Sequence, residues 1–189
     1  MKPRTTRLRS SPVAEKFLRP EQVEGAIKEL AVLAEDQGVV VALAGGVAMQ
    51  IYGSDRFTKD VDVVADQALE GLQETGQLTF GGFSARTTKN ASVDVILRND
   101  AYAPLYEVAL ADPRRIRGVA LPVVRLEYLA PMKFAAHRGK DLDDLAFLVL
   151  HTPLNMKRTL QVVEEYLGHY AVQEFNYFVE EVRAMGGRR

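Results

Sequence analysis

Two short apolar runs in this chain carry charges that a fully buried strand would not tolerate. Asp60-Val61-Asp62-Val63-Val64 sets two aspartates one residue apart among valines, and Ser92-Val93-Asp94-Val95-Ile96-Leu97 sets a third in similar company. β-Branched residues favour strands and aspartate disfavours them, while successive strand side chains point to opposite faces. Asp60 and Asp62 therefore share one face, and Val61 and Val63 take the other. Such runs demand a sheet with an apolar side against a core and an acidic side turned away from it. If the two strands are neighbours, Asp94 joins the pair.

Carboxylates this close repel one another unless a cation or protons compensate. Oxygen ligands suit magnesium, which binds through one or two carboxylates and leaves positions for substrate phosphates. The same residues also fit the wet face of a half-exposed sheet, as antiparallel strands commonly have. Upstream, the run at 39–44 ends at Gly45-Gly46, where a strand turns into a short helix over 48–52 that stops near Gly53. Glycine pairs serve such turns through their tolerance of positive φ. At a helix N-terminus they also leave bare N–H groups that attract phosphate.

Periodicity supplies the rest of the outline. Val23, Ile27, Leu30, Ala31 and Ala34 fall on one face of a helix over 21–37, with Gly38 as its left-handed cap. A helix is expected over 66–75, strands over 78–85 and 92–97, and a helix over 101–109. An extended connection or short strand pair surrounds Gly118 and Pro122, and helices follow over 126–151, 154–168 and 171–185. Tyr166, Tyr170, Phe175, Tyr177 and Phe178 recur at helical intervals and read as packing between the last helices. The reading is α+β: a small mixed sheet flanked by helices, followed by a helical region. Residues 1–20 form a basic arm, 21–125 the core, and 126–189 a C-terminal helical region packed on it.

Composition narrows the chemistry. The chain has no cysteine, which removes disulfides and thiolate metal sites, and His137, His151 and His169 lack metal-ligand spacing. A net charge of −1 gives no global attraction to nucleic acid or anionic lipid. No apolar stretch is long enough for a membrane span, so a cytoplasmic protein without a membrane partner is expected. The arm, with Lys2, Arg4, Arg7, Arg9, Lys16 and Arg19 against Glu15, is a solvated terminus or a contact for an acidic partner.

Gly45-Gly46-x-Ala48, Gly53 and Arg56-x-Thr58-x-Asp60-x-Asp62 resemble the signature of the nucleotidyltransferase-fold superfamily, related to DNA polymerase beta. Asp94 matches its third carboxylate. Arg and Thr ahead of Asp-x-Asp resemble the AbiEii-type branch, which includes toxins of abortive-infection and toxin–antitoxin systems. The segment 132–149 is similar to that branch's helical motif through Lys133, Arg138, Asp141, Asp144 and Leu145, with Ala135 or Ala136 only approximately placed. On a continuous helix Lys133, Lys140 and Asp144 share a face; a solvated face with a Lys140–Asp144 pair is the plainer account. Val47 departs from the Ser or Thr that many of these toxins carry after the glycine pair.

The resemblance implies a magnesium-dependent transfer of a nucleoside monophosphate from an NTP to a hydroxyl, releasing pyrophosphate. Asp60, Asp62 and Asp94 would hold two Mg2+ ions, or Mn2+, and Asp94 would help accept the hydroxyl proton. Gly45, Gly46, Arg56, Thr58, Lys133 and Asp144 would form the nucleotide site. Among them Lys133 offsets pyrophosphate charge, Asp144 orients Lys133 or lines the pocket, and Arg56 and Thr58 brace the Asp-x-Asp strand. The acceptor is a tRNA, a protein or a small molecule, with an antitoxin as a further partner. The alternatives are a catalytically silent binding protein of the same fold and a nucleic-acid-binding module built on the arm.

Overall fold

A computed structural model describes residues 17–186. The basic arm thus lies outside the described residues except for 17–20, which lead into α1 (Pro20–Gln37). That helix ends as its sequence requires. Gly38 takes φ 68° and donates its N–H to the carbonyls of Ala34 and Glu35.

β1 (Val41–Leu43) runs into α2 (Gly45–Ile51), and β2 (Val61–Ala65) returns beside β1. β3 (Gln73–Gln77), β4 (Gly82–Arg86) and β5 (Ser92–Ile96) complete one five-stranded sheet in the order β1-β2-β5-β4-β3. β2 and β5 are parallel and the other pairings antiparallel. The β2–β5 register sets Asp62 directly against Asp94, and with them Val61 against Val93 and Val63 against Val95. These four valines are fully buried. Removing a valine side chain from water contributes roughly 1.5–3 kcal/mol, so the apolar face fixes the register that brings the acids together.

α3 (Ala103–Ala111) follows the sheet, and the connection behind it makes isolated bridges: Val123 pairs with Arg114 and, in parallel sense, with Leu43. Then come α4 (Leu126–Ala136), α5 (Gly139–His151), α6 (Met156–Leu167) and α7 (His169–Gly186). One continuous core runs from Leu30 of α1 through Leu43, Met49 and Val63 to Leu129, Leu145, Leu148 and Phe175. Among the described residues no helix is long and apolar enough to cross a membrane.

The expected helix over 66–75 does not form. Leu69 is buried and Leu72 partly so, but Gln73 to Gln77 present no apolar stripe, and Gly71 turns the chain at φ 87° into the wholly exposed edge strand β3. The strand expected over 78–85 is displaced in the same way: Leu78 to Gly81 make the hairpin turn, closed by Leu78 N–H to the Gly82 carbonyl at 2.9 Å. The single helix expected over 126–151 breaks at His137, in the left-handed region at φ 50°, and Arg138, which is extended. The C-terminal aromatics divide. Phe175 is buried between helices and Phe178 packs against the core, whereas Tyr170 and Tyr177 are exposed.

Candidate active site

The acidic side of the sheet opens on a cleft of about 520 Å³. Asp60, Asp62 and Asp94 line it together with Gly45, Gly46, Arg56 and Lys133. Asp60 sits just ahead of β2, and Asp62 and Asp94 project from adjacent strands. Thr58, only 2% exposed, donates its hydroxyl to the Asp60 carbonyl at 2.8 Å and so holds the entry to the strand rather than facing the cleft. Leu18, just ahead of α1, secures the same turn, its N–H donating to the Thr58 carbonyl at 2.9 Å.

The glycines are demanded by close approach. A Cβ on Gly45, which stands at φ 52°, would lie 1.8 Å from Asp62 Oδ2, and one on Gly46 would lie 2.5 Å from Thr58 Oγ1. Any side chain would push α2 off the carboxylate strand. The close fit lets the Gly46 N–H donate to Asp62 Oδ2 at 3.2 Å, so this amide, expected to be bare for a phosphate, is taken by a carboxylate instead. Val47, at 1% exposure, turns away from the cleft and toward the groove between α1 and α2. The Val47 side chain does not line the cleft that holds the carboxylates.

Asp62 and Asp94 ionise against their surroundings. Asp62 is pushed up to about 6, first by burial and then by the charges of Asp60 and Asp94; the Gly46 amide and Lys133 pull weakly the other way. Asp94 is likewise raised, chiefly by burial, against the hydrogen bond it accepts from Ser84 Oγ at 2.6 Å. Both carboxyls therefore hold protons more tightly than usual, first because they are withdrawn from water and then because neighbouring carboxylates repel their charge. An oxygen-only donor set of this kind fits a hard divalent cation such as magnesium. Among the described residues no three acidic, imidazole or thiol side chains stand together so as to hold a metal ion by themselves. A cation here would draw further oxygens from substrate and water, as magnesium commonly does.

Opposite the acids lies a buried ion network that joins the two halves of the chain. Lys133 of α4 donates to Asp144 at 2.7 Å and to Asp141 at 3.1 Å, both on α5. Arg56, ahead of β2, also reaches Asp144, and Arg138 caps Asp141. Lys133, Asp141 and Asp144 are 7%, 0% and 4% exposed, so the pairing is largely withdrawn from bulk water while Lys133 and Asp141 still reach the cleft wall. Burial works against ionised Asp141, but the Arg138 hydrogen bond and the Lys133 charge hold its carboxyl below the usual range. Three cations against two carboxylates leave the network net positive on the side facing Asp60, Asp62 and Asp94.

The break at His137 and Arg138 alters the expected helix face. Lys133, Lys140 and Asp144 do not lie along one continuous helix; α5 folds back so that Asp144 meets Lys133 across the turn. The Lys140–Asp144 pair is replaced by Arg56 and Lys133 as the partners of Asp144, and Lys140 lines the cleft instead. Arg98 escaped the sequence reading, although it stands two strand periods beyond Asp94 and lines the same cleft. Its guanidinium lies 4.6 Å, 5.3 Å and 4.9 Å from the ring centres of Phe80, Tyr102 and Tyr106, and Nε donates to Asp100 at 2.8 Å. Phe80 comes from the β3–β4 turn and carries no signal in sequence.

No protein-family model matches the chain, and no curated protein matches it either. Among solved structures the chain is similar to an antigenic nucleotidyltransferase-like protein from Paracoccidioides brasiliensis, at 13% identity over 87% of this chain and 94% of that one, with a TM-score of 0.51. JHP933 from Helicobacter pylori aligns at 14% identity over 89% of this chain and 94% of its own, with a TM-score of 0.49. ANT(2")-Ia in complex with adenylyl-2"-tobramycin aligns at 16% identity, covering 87% and 98%, with a TM-score of 0.45. The first of these likenesses shows the fold: the mixed sheet and its helices make a nucleotidyltransferase fold.

Proposed function

We propose that this chain transfers a nucleoside monophosphate from a nucleoside triphosphate to a hydroxyl group, with pyrophosphate as the leaving group. The observation that carries the reading is the parallel β2–β5 register, which pairs Asp62 with Asp94 at the floor of the cleft, where burial first and neighbouring carboxylates after it raise the affinity of both carboxyls for protons. Asp60, Asp62 and Asp94 would hold magnesium, which would supply the positive charge that the acids and a triphosphate both need. The residues of the chain do the rest. Asp94, on the far strand, accepts the proton of the attacking hydroxyl as the new P–O bond forms at the α-phosphorus and the α–β bond breaks. Lys133, backed by Arg56 and Arg138, provides positive charge for the departing pyrophosphate. Gly45 and Gly46 keep that wall of the cleft free of side chains.

Within this activity the AbiEii-type branch is the preferred assignment. Both motif blocks on which the resemblance rests, Arg56-x-Thr58 and Lys133 with Asp144, meet in one ion network. A toxin role, with an antitoxin and an RNA, protein or small-molecule acceptor, is what that branch implies.

The test is incubation of the protein with magnesium and each α-labelled nucleoside triphosphate, together with total RNA and cell extract, beside Asp60→Ala/Asp62→Ala. The expected result is label transfer that disappears in the double variant. A wild-type protein that neither binds nor turns over any nucleotide would overturn the assignment in favour of a silent member of the fold.

A further inference from the structure

Residues 56–59 alternate strictly. Arg56 turns inward to Asp144 and Thr58 is buried under Asp60, while Phe57, at 72% exposure, and Lys59 turn outward. A lone exposed aromatic is ordinary on a protein surface. The backbone that carries this one is not. Gln50 Nε2 donates to the Arg56 carbonyl at 2.8 Å and the Leu18 N–H to the Thr58 carbonyl at 2.9 Å, so Phe57 is strapped at both shoulders. Phe17 packs against it with ring centres 5.6 Å apart, which restrains the ring as well. The fold therefore holds a large apolar surface in water, in a fixed position, three residues from Asp60.

That position adjoins the cleft. Phe57 and Phe17 line a second pocket of about 340 Å³, whose other walls include Arg56, Asp60, Lys140 and Asp143. Arg56, Asp60 and Lys140 belong to both cavities, so the two communicate at the Asp60 end. The volume falls in the range of roughly 300–1,000 Å³ typical of small-molecule sites. An aromatic face with cationic side chains, beside a cleft whose wall carries Lys133, Arg138 and the side-chain-free Gly45-Gly46 backbone, is the combination that takes a nucleobase and its phosphates. The opposite end, at Asp94, Phe80 and Arg98, must admit the attacking hydroxyl if Asp94 receives its proton, which leaves the Asp60 end for the donor.

We propose that this second pocket receives the base of the donor nucleotide, stacked on Phe57, a placement that rests on the nucleotide-transfer reading and deepens it. The shared aromatic face is tolerant of base identity, since every base offers a π-face.

Isothermal titration of the full chain with each ribonucleoside triphosphate and with inorganic triphosphate, in magnesium, tests it on wild type, Phe57→Ala and Phe57→Trp. Phe57 is exposed, so its replacement leaves the core intact, and unchanged thermal unfolding checks this directly. Phe57→Ala is expected to weaken the best-bound nucleotide about ten-fold while inorganic triphosphate binds as before, and Phe57→Trp to retain or tighten nucleotide binding. Equal losses for nucleotide and inorganic triphosphate, or no loss for either, overturn the base platform. So does a wild type that binds both with the same affinity, and this outcome leaves the transferase reading standing. A wild type that binds neither removes both.

Discussion

Asp62→Asn removes one charge from the acidic group while keeping an oxygen to accept the Gly46 amide. In the folded chain Asp62 is raised from an ordinary 3.8 to about 6, so its carboxylate is charged at neutral pH at a cost. A shift of about two units, at about 1.4 kcal/mol each, gives a penalty of about 3 kcal/mol. Asp62 is only half-buried, and solvent relaxation makes this a ceiling. The sign follows from linkage: a folded-state pKa above the unfolded one means that the native state holds the proton more tightly. The stability this contributes is fully present below the unfolded value and is lost as pH rises through about 6. At about pH 7, without divalent metal, Asp62→Asn should therefore be more stable than wild type by about 1–3 kcal/mol, and the gap should close by about pH 4. The chain has no tryptophan, so urea unfolding is best followed by circular dichroism. Comparing variant with wild type at each pH cancels the acid titration of groups outside the cluster. Magnesium should narrow the gap by stabilising wild type preferentially. An Asn variant no more stable than wild type at neutral pH in chelator would refute the claim that the protein leaves these acids uncompensated.

Other substitutions probe the geometry around them. Gly45→Ala drives a methyl into Asp62 Oδ2 from a left-handed backbone, and should cost roughly 1–3 kcal/mol by urea denaturation. Asp144→Ala strands Lys133 and Arg56 beside a single remaining buried acid and should destabilise by about 3–5 kcal/mol, whereas Val47→Ser, facing away from the cleft, should leave nucleotide affinity unchanged in the same titrations. Asp141 has its pKa held below the usual range, so its contribution is present above the ordinary carboxylate range and fades as pH falls. An Asp141→Asn variant should show a shallower loss of stability below about pH 4 than wild type.

The parts of this fold legible in sequence are those where local pattern and global packing agree. Val61 and Val63 announce a buried face by period two, and the same period sets Asp62 on the other side; the register with β5 then follows from matching valines. Gly45 and Gly46 were readable as a turn, but not as a gap shaped for Asp62, because that requires a contact between residues 16 or more apart in sequence. β3 was misread because an edge strand exposed along its whole length buries nothing that could imprint a period. The helix break at His137 was hidden for a different reason. No proline or glycine occupies the left-handed position, and the turn is held instead by Lys133 and Arg138 closing on Asp141 from either side.

That break also explains why the second motif has its charges spaced as they are. A straight helix from Lys133 onward would carry Asp144 away from Lys133 by its 11-residue separation along the axis, about 16 Å at 1.5 Å per residue. Folding at residues 137–138 brings Nζ of Lys133 within 2.7 Å of Asp144 and returns both to Arg56, which stands only four residues ahead of Asp60. The acidic strands and the basic turn are thereby tied into one body through a single shared carboxylate. If this account is right, Asp144→Ala should loosen the Asp60 segment as well as α5, with faster amide exchange at residues 56–60 that Asp144→Asn, which keeps an acceptor, suppresses in part. Loosening confined to α5 would mean that the Arg56 pairing holds nothing in place, and that Thr58 alone positions Asp60.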